Sequence, residues 1–301
     1  MPEQISGEAL FQWRNWAIQQ AQSNQIDPYE VDWLLQGLTD LSSLSLQLGS
    51  YRSQSNLDCQ VSLTQLTQKW HRRIADSVPV QYLAGETPWR EFSITVSPDV
   101  LIPRPETELI IEIAQTLATQ TPSKSNPDNH HWADLGTGSG AIALGLATTF
   151  PTANIHAVDI SQQALAIAQG NAKKHNLTDR ITFYPGSWLS PLRSLKGKLT
   201  GIITNPPYIP TQTVQTLQIE VTKHEPHIAL DGGQNGLDAI TTLITHSAHY
   251  LQPGGIFVTE LMAGQAETVA SLLKQNGQYT QINIHPDLAG INRFVSARKA
   301  L

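Results

Sequence analysis

A chain of 301 residues has room for one large domain or two, and 40% hydrophobic with 15% charged residues describes a soluble protein with a substantial core. Nineteen Lys and Arg against twenty-five Asp and Glu leave a net charge of −6, which speaks against a general nucleic-acid binder, since those carry a basic excess. The single cysteine, Cys59, excludes an internal disulfide, no secretory leader pattern follows Met1-Pro2-Glu3-Gln4, and no apolar run reaches membrane-spanning length, so a cytoplasmic protein without a membrane partner is expected.

The first 78 residues read as helical. Leu10, Trp13 and Ala17 share one face. Asp27-Pro28-Tyr29-Glu30 supplies an N-cap, a proline for the first helical position and a glutamate for a capping box. Val31, Leu34, Leu35 and Leu38 then repeat at helical spacing. Ser62 with Gln65 predicts a second capping box, ahead of Leu63, Leu66, Trp70 and Ile74. His71-Arg72-Arg73 reads as a solvated face of that helix. Ser77-Val78-Pro79 ends the helical part, and Tyr82–Glu86 with Phe92–Val96 predicts a β-hairpin linker over residues 79–104. Ile102-Pro103-Arg104-Pro105-Glu106-Thr107-Glu108 sets a rigid turn into a helix carrying Leu109, Ile110, Ile113 and Leu117, with two glutamates complementing the helix dipole. Residues 105–301 form the second domain, and Thr121 to Asn129 is expected to be a surface loop.

From His130 onward strands and helices alternate, which implies a mostly parallel sheet. His131–Leu135 runs into Gly136-Thr137-Gly138-Ser139-Gly140 and an apolar helix. Ile155–Asp159 ends in a carboxylate. Arg180–Tyr184 leads to Gly186-Ser187-Trp188. Gly201–Thr204 ends abruptly in Asn205-Pro206-Pro207-Tyr208. A loop rich in Glu, Pro and Gly, Glu220 to Gly236, precedes a helix from Leu237 to Leu251. After Pro253-Gly254-Gly255, strands at Ile256–Glu260, Tyr279–Ile284 and Arg293–Ala297 complete the sheet, with a helix near Ala266 to Lys274 between the first two.

The Asn-Pro-Pro-Tyr bend sits where open α/β sheets bind ligands, at the carboxyl end of a strand. Its prolines hold Asn205 and Pro206 extended and donate no N–H. The Asn205 side-chain oxygen and the Pro206 carbonyl can each accept an N–H of a conjugated –NH2 group, aiming the nitrogen lone pair, while Tyr208 covers the planar group by stacking. Such a site works by positioning and needs an electrophile from elsewhere. The glycine-rich turn, with an acidic residue about 20 positions on, binds a nucleoside through its ribose. Asp159 fills that place, and Trp188 is placed to lie along an adenine. The Gly-x-Gly-x-Gly spacing differs from the pyrophosphate-binding pattern. S-adenosylmethionine has the ribose and adenine, no phosphate, and a sulfonium methyl as electrophile. No metal-ligand spacing is present.

From Pro79-Val80-Gln81-Tyr82-Leu83-Ala84-Gly85 to the C-terminus the chain resembles the HemK/PrmC family, protein-(glutamine-N5) methyltransferases that modify peptide chain release factors. The resemblance rests on the Ile102–Glu108 segment, Asp134-Leu135-Gly136-Thr137-Gly138-Ser139-Gly140, Asn205-Pro206-Pro207-Tyr208-Ile209, Glu225-Pro226-His227-Ile228-Ala229-Leu230-Asp231-Gly232-Gly233 and Asp287-Leu288-Ala289-Gly290. It implies a class I methyltransferase fold, with a seven-stranded sheet, and a helical N-terminal domain (1–78) that recognises the release factor. It also implies cofactor contacts from Gly136, Thr137, Gly138, Ser139, Gly140, Asp159, Trp188 and Asn205. Asn205, Pro206, Pro207 and Tyr208 would bind the glutamine of a Gly-Gly-Gln motif, with Asn205, Pro206 and Tyr208 serving the transfer. Three positions depart from the family pattern: Ser187 stands for a frequent aspartate, His224 for an aromatic residue and Met262 for a glycine. Asn-Pro-Pro-Tyr alone is shared with enzymes that methylate adenine or guanine amino groups in nucleic acid, and this remains the alternative reading. Gly232-Gly233-Gln234 is read as a coincidental likeness to the target motif.

Overall fold

A computed structural model of the protein describes residues 3–120 and 130–301; the expected loop over Thr121 to Asn129 lies outside them. The chain divides into two compact units. One runs to Thr87 and takes in Val96–Pro98 and Gln218–His224; the other comprises Pro88–Thr95, Asp99–Leu217 and Glu225–Leu301.

In the helical unit, β1 (Glu3–Ile5) leads to α1 (Gly7–Ser23), α2 (Tyr29–Leu38) and α3 (Ser43–Leu48), followed by β2 (Leu57–Cys59), α4 (Leu63–Asp76) and α5 (Val80–Ala84). Leu10, Trp13, Ala17, Leu34, Leu35, Leu66 and Trp70 close the core. Only one of the two expected capping boxes forms. Ser62 and Gln65 form the reciprocal box at the start of α4. Asp27 accepts the Tyr29 amide at 2.9 Å, whereas Glu30 turns away from its own helix end to pair with Arg73. His71 and Arg72 are exposed as expected, but Arg73 is buried, at 5% exposure. It continues the Leu66, Trp70 stripe at i+7, which the charge run concealed. Its guanidinium bonds Glu30 through Nε and, at 2.7 Å, through Nη2, which also reaches Glu220 at 2.7 Å. Glu220 belongs to the segment Gln218–His224, whose His224 ring meets the Asp76 carbonyl at 2.8 Å.

The hairpin differs from expectation at its start. Val80–Ala84 is helical, closed by Gly85 at φ 86°, and the strands are β3 (Glu86–Trp89) and β4 (Phe92–Thr95). The short pairing of β1 with β2 was not foreseen, because three-residue strands carry no readable alternation.

In the larger unit a 3-10 turn, Pro105–Glu108, opens into α6 (Leu109–Thr119). Then follow β5 (His131–Leu135), α7 (Ala141–Thr149), β6 (Asn154–Asp159), α8 (Gln162–Lys174), β7 (Ile181–Pro185) and β8 (Leu199–Thr204). After the bend comes α9 (Thr211–Val214), and the region expected as a loop, Glu220 to Gly236, takes in most of α10 (Ile219–His224) and a 3-10 turn at His227–Ala229. After α11 (Asp238–Ser247) come β9 (Leu251–Glu260), α12 (Ala266–Asn276), β10 (Tyr279–Pro286) and β11 (Asn292–Lys299). The seven strands order as β10-β11-β9-β8-β5-β6-β7, with β11 antiparallel to both neighbours and the rest parallel. This is the class I methyltransferase arrangement. α11 stops short of the expected Leu251, and Pro253-Gly254-Gly255 becomes a bulge inside β9, where the register jumps from Leu199↔Leu251 to Gly201↔Ile256.

Across β5, β6 and β7, the His131 Nδ1 lies 2.9 Å from His156 Nε2, and His156 Nδ1 lies 3.2 Å from the Tyr184 hydroxyl. Burial, with the neighbouring His131, pushes His156 down to about 4. An unfolded imidazole protonates near 6.5, so the unfolded chain takes up this proton first. The His156 contribution is therefore neutral above about pH 7 and turns destabilising as pH falls from 6.5 towards 4, by up to roughly 3 kcal/mol. Urea titrations at pH 7 and pH 4.5 should show that His156→Gln loses less stability on acidification than wild type. Parallel losses would mean that His156 charges freely in the folded state.

Candidate active site

The sheet order places a switch point between β5 and β8, the position at which open sheets accept ligands. The glycine turn leaves β5 there. Gly136 and Thr137 donate their amides to the Val158 carbonyl at 2.9 and 3.0 Å, pinning the turn to β6. Gly136, Gly138 and Gly140 all have positive φ, and a Cβ on Gly140 would stand 3.0 Å from that of Ala168, so the last glycine is needed for α7 to pass α8. At Gly138 a Cβ would meet nothing within 4 Å; the backbone there faces open space. Beneath the turn, fully buried Asp134 accepts the Thr137 hydroxyl at 2.5 Å. Burial pushes the Asp134 carboxyl up to about 7, against the pull of that hydroxyl.

Asp159, at the end of β6, accepts the Gly138 amide through Oδ2 at 2.8 Å and the Ser161 amide through Oδ1 at 2.9 Å. The carboxylate is thus fixed in direction while each oxygen keeps a lone pair for a ligand. Trp188, after β7, adopts φ 49° and packs its ring edge over Gly136, where an added Cβ would lie 3.4 Å from Cζ3.

Asn205 follows β8, and its Nδ2 donates to the Thr107 hydroxyl at 3.3 Å. The Tyr208 hydroxyl donates to Glu260 at 3.0 Å. Glu260 ends β9, is 2% exposed, and is pushed up to about 7 by burial, opposed by the Thr107 and Tyr208 hydroxyls. Burial beside that carboxyl drives the Tyr208 phenol well above its ordinary range. The bend is tied to the following loop as well. Gly232 donates to the Ile209 carbonyl at 2.9 Å, and a Cβ on it would stand 2.7 Å from the Pro207 carbonyl. Buried Gln265 donates to the Tyr208 carbonyl at 2.9 Å. The glycines of Gly232-Gly233-Gln234 thus have a packing reason of their own. Glu225 joins two of the family-like segments by accepting the Arg104 guanidinium at 2.5 Å and the Ile102 amide at 3.3 Å.

Gly136, Gly138, Asp159, Trp188, Asn205 and Pro207 line one cavity of about 310 Å³. Thr137, Ser139, Gly140, Pro206 and Tyr208 do not line it; Thr137 and Ser139 are buried behind the turn. Ile160, Ser187, Pro226 and Ile228 also line it. Pro226 and Ile228 belong to the family-like segment Glu225–Gly233, and nothing local in the sequence says that this distant loop returns to the glycine turn. Nothing local marks Thr107 or Glu260 either. Of the three departures, Ser187 faces the cavity, His224 lies in the helical unit, and the Met262 amide donates to Gln265 Oε1 at 3.0 Å. Among the described residues there is no cluster of His, Cys, Asp or Glu able to hold a metal ion, and no helix long and apolar enough to cross a membrane.

The methyltransferase small domain family matches residues 113–234. A release factor glutamine methyltransferase of Synechocystis sp. is 51% identical over 98% of this chain and 97% of its own length. One from Thermosynechococcus vestitus is 45% identical over 98% and 99%. The chain belongs to the release factor glutamine methyltransferase family. Its resemblance to that family, first visible in the motifs, extends through the helical unit, since the alignments cover nearly the whole chain. Among solved structures, the hMettl16 catalytic domain in complex with MAT2A 3'UTR hairpin 6 superposes with a TM-score of 0.53 at 15% identity, covering 82% of this chain and 84% of that one. That likeness speaks to the shared class I fold alone.

Proposed function

We propose that this member of the family transfers a methyl group from S-adenosylmethionine to the side-chain amide nitrogen of the glutamine in the Gly-Gly-Gln motif of a release factor, leaving S-adenosylhomocysteine. The observation that carries the reading is that the glycine turn, Asp159, Trp188 and Asn205 open onto one cavity at the switch point. The cavity fits the cofactor in kind: its volume is at the lower end for small-molecule sites, Gly138 leaves room for close backbone approach, and Asp159 has lone pairs free for two ribose hydroxyls. When bound, S-adenosylmethionine supplies a sulfonium methyl as the electrophile. The chain's own residues do the rest. Asn205 Oδ1 and the Pro206 carbonyl accept the two N–H groups of the glutamine amide, which aims the nitrogen lone pair. Tyr208, held by Glu260, covers the amide plane. The proton leaves after the nitrogen has gained its methyl, so positioning suffices and no strong base is needed. Residues 1–78 serve recognition: a single glutamine side chain offers little surface, and contacts remote from the reacting atom support kcat as well as KM by holding the target.

Incubating the purified protein and labelled S-adenosylmethionine with an extract lacking the enzyme, followed by mass spectrometry, tests this. Label is expected on the glutamine amide of a release factor; label in nucleic acid would favour the adenine or guanine reading instead. Asp159→Ala should weaken S-adenosylmethionine about tenfold to a hundredfold in calorimetry, through lost ribose contacts and a loosened Gly138, while the rate at saturation stays within a few-fold. Unchanged affinity would remove Asp159 from the site.

A further inference from the structure

The amide of Asn205 has two ends, and only one orientation offers its oxygen to the substrate. A hydroxyl beside it does not by itself choose, because Thr107 can donate to an amide oxygen or accept from an amide nitrogen. What breaks the tie lies one strand away. Thr204 and Thr259 are register partners in the parallel pair β8·β9, so Asn205 and Glu260 leave neighbouring strand ends side by side. Glu260 is buried, accepts the Tyr208 hydroxyl, and lies near enough to Thr107 for that hydroxyl to favour its ionised form, although no hydrogen bond of full geometric quality reaches Oε2. Above about pH 7, where Glu260 is ionised, its carboxylate only accepts. It therefore draws the one hydrogen of Thr107 towards itself, and the Thr107 oxygen is left to accept from Asn205 Nδ2, as observed at 3.3 Å.

We propose that Thr107 and Glu260 are positioning residues that fix the polarity of the site from behind, turning Asn205 Oδ1 and the Tyr208 ring towards the glutamine amide. Thr107 is 4% exposed and sits on the Pro105–Glu108 turn, so the proline-braced segment Ile102–Glu108 has a chemical purpose at the reacting end. Neither residue touches the substrate in this scheme; each acts through another. The inference rests on Asn205 being the acceptor for the substrate N–H, and it assigns what makes it one.

Three substitutions separate polarity from packing. Thr107→Val keeps the shape and loses the hydroxyl. Single-turnover methylation of release factor is expected to fall about tenfold to a hundredfold, with the calorimetric affinity for S-adenosylmethionine within about twofold of wild type. Thr107→Ser restores the hydroxyl and should recover to within a few-fold. Glu260→Gln keeps size and burial but replaces one of the two acceptor oxygens by a donor. It should slow turnover as Thr107→Val does while leaving the thermal midpoint equal or higher, since a buried carboxyl has been made neutral. A merely structural role predicts the reverse pattern: Ser as damaging as Val, and a Glu260→Gln rate that follows stability. That pattern, or wild-type turnover in Thr107→Val, overturns the proposal. If Asn205→Ala is inactive in the same assay, only the positioning role has failed; if Asn205→Ala also turns over normally, the reading of the site itself has failed.

Discussion

Asn205→Ala is expected to abolish turnover while the protein still binds S-adenosylmethionine measurably. Under the proposed function the lost group is the Oδ1 acceptor that aims the amide nitrogen, an interaction that strengthens as the nitrogen becomes tetrahedral. Losing such a bond costs on the order of 2–4 kcal/mol, at least a hundredfold in rate. Asn205 also lines the cavity, so some cofactor affinity should go with it. The rate and the binding constant must therefore be measured on the same protein. Single-turnover methylation within about tenfold of wild type would make Asn205 no more than a turn residue.

The second large effect is on stability. Arg73→Ala should destabilise the helical unit by roughly 3 kcal/mol, near the lower end of the cost of breaking a buried ion pair. The reasoning is asymmetric. The arginine is 5% exposed and serves two carboxylates at once. Its removal leaves Glu30 and Glu220 facing each other without a counter-charge. Glu220 has a side chain 35% exposed, so rotation into water recovers part of the loss and the higher values are not expected. Urea unfolding followed by a probe in the helical unit, such as Trp70 fluorescence, measures this. A shift below about 1 kcal/mol would show that the triad is solvated enough to be dispensable.

How much of this was legible beforehand depended on whether the signal was local. The seven strands announce themselves through apolar runs bounded by Gly, Pro and Asn. The glycine turn and the Asn-Pro-Pro-Tyr bend are local backbone requirements written in the residues that meet them. Arg73 was misread because a basic trio looks like a solvated face, and only the Leu66, Trp70 spacing shows that the last of the three points inwards. The strand expected at Tyr82 was a helical turn, because Pro79 and Gly85 bracket it as N-cap and left-handed C-cap. Glu260 was visible as the end of a strand, yet its meeting with Tyr208 depends on the parallel register of β8 and β9, which no short window contains. Thr107 was concealed further, inside a turn whose prolines and glutamates already explained themselves.

The return of Gln218–His224 to the helical unit has a consequence for the order in which the protein is made. Chains are synthesised at roughly 5–20 residues per second, so the stretch from Thr87 to His224 delays the last part of that unit by roughly 7–27 seconds. For that interval the emerging helices can close around Leu10, Leu34 and Trp70, but Arg73 has only Glu30 as a counter-ion and the Asp76 carbonyl still lacks His224. The unit nearest the ribosome exit first is therefore among the last to be completed. Its final contacts are long-range ones, made after β8 and the bend behind it have already been translated. A pulse of limited proteolysis on stalled nascent chains, comparing lengths that end before and after His224, should find α4 protected only in the longer ones.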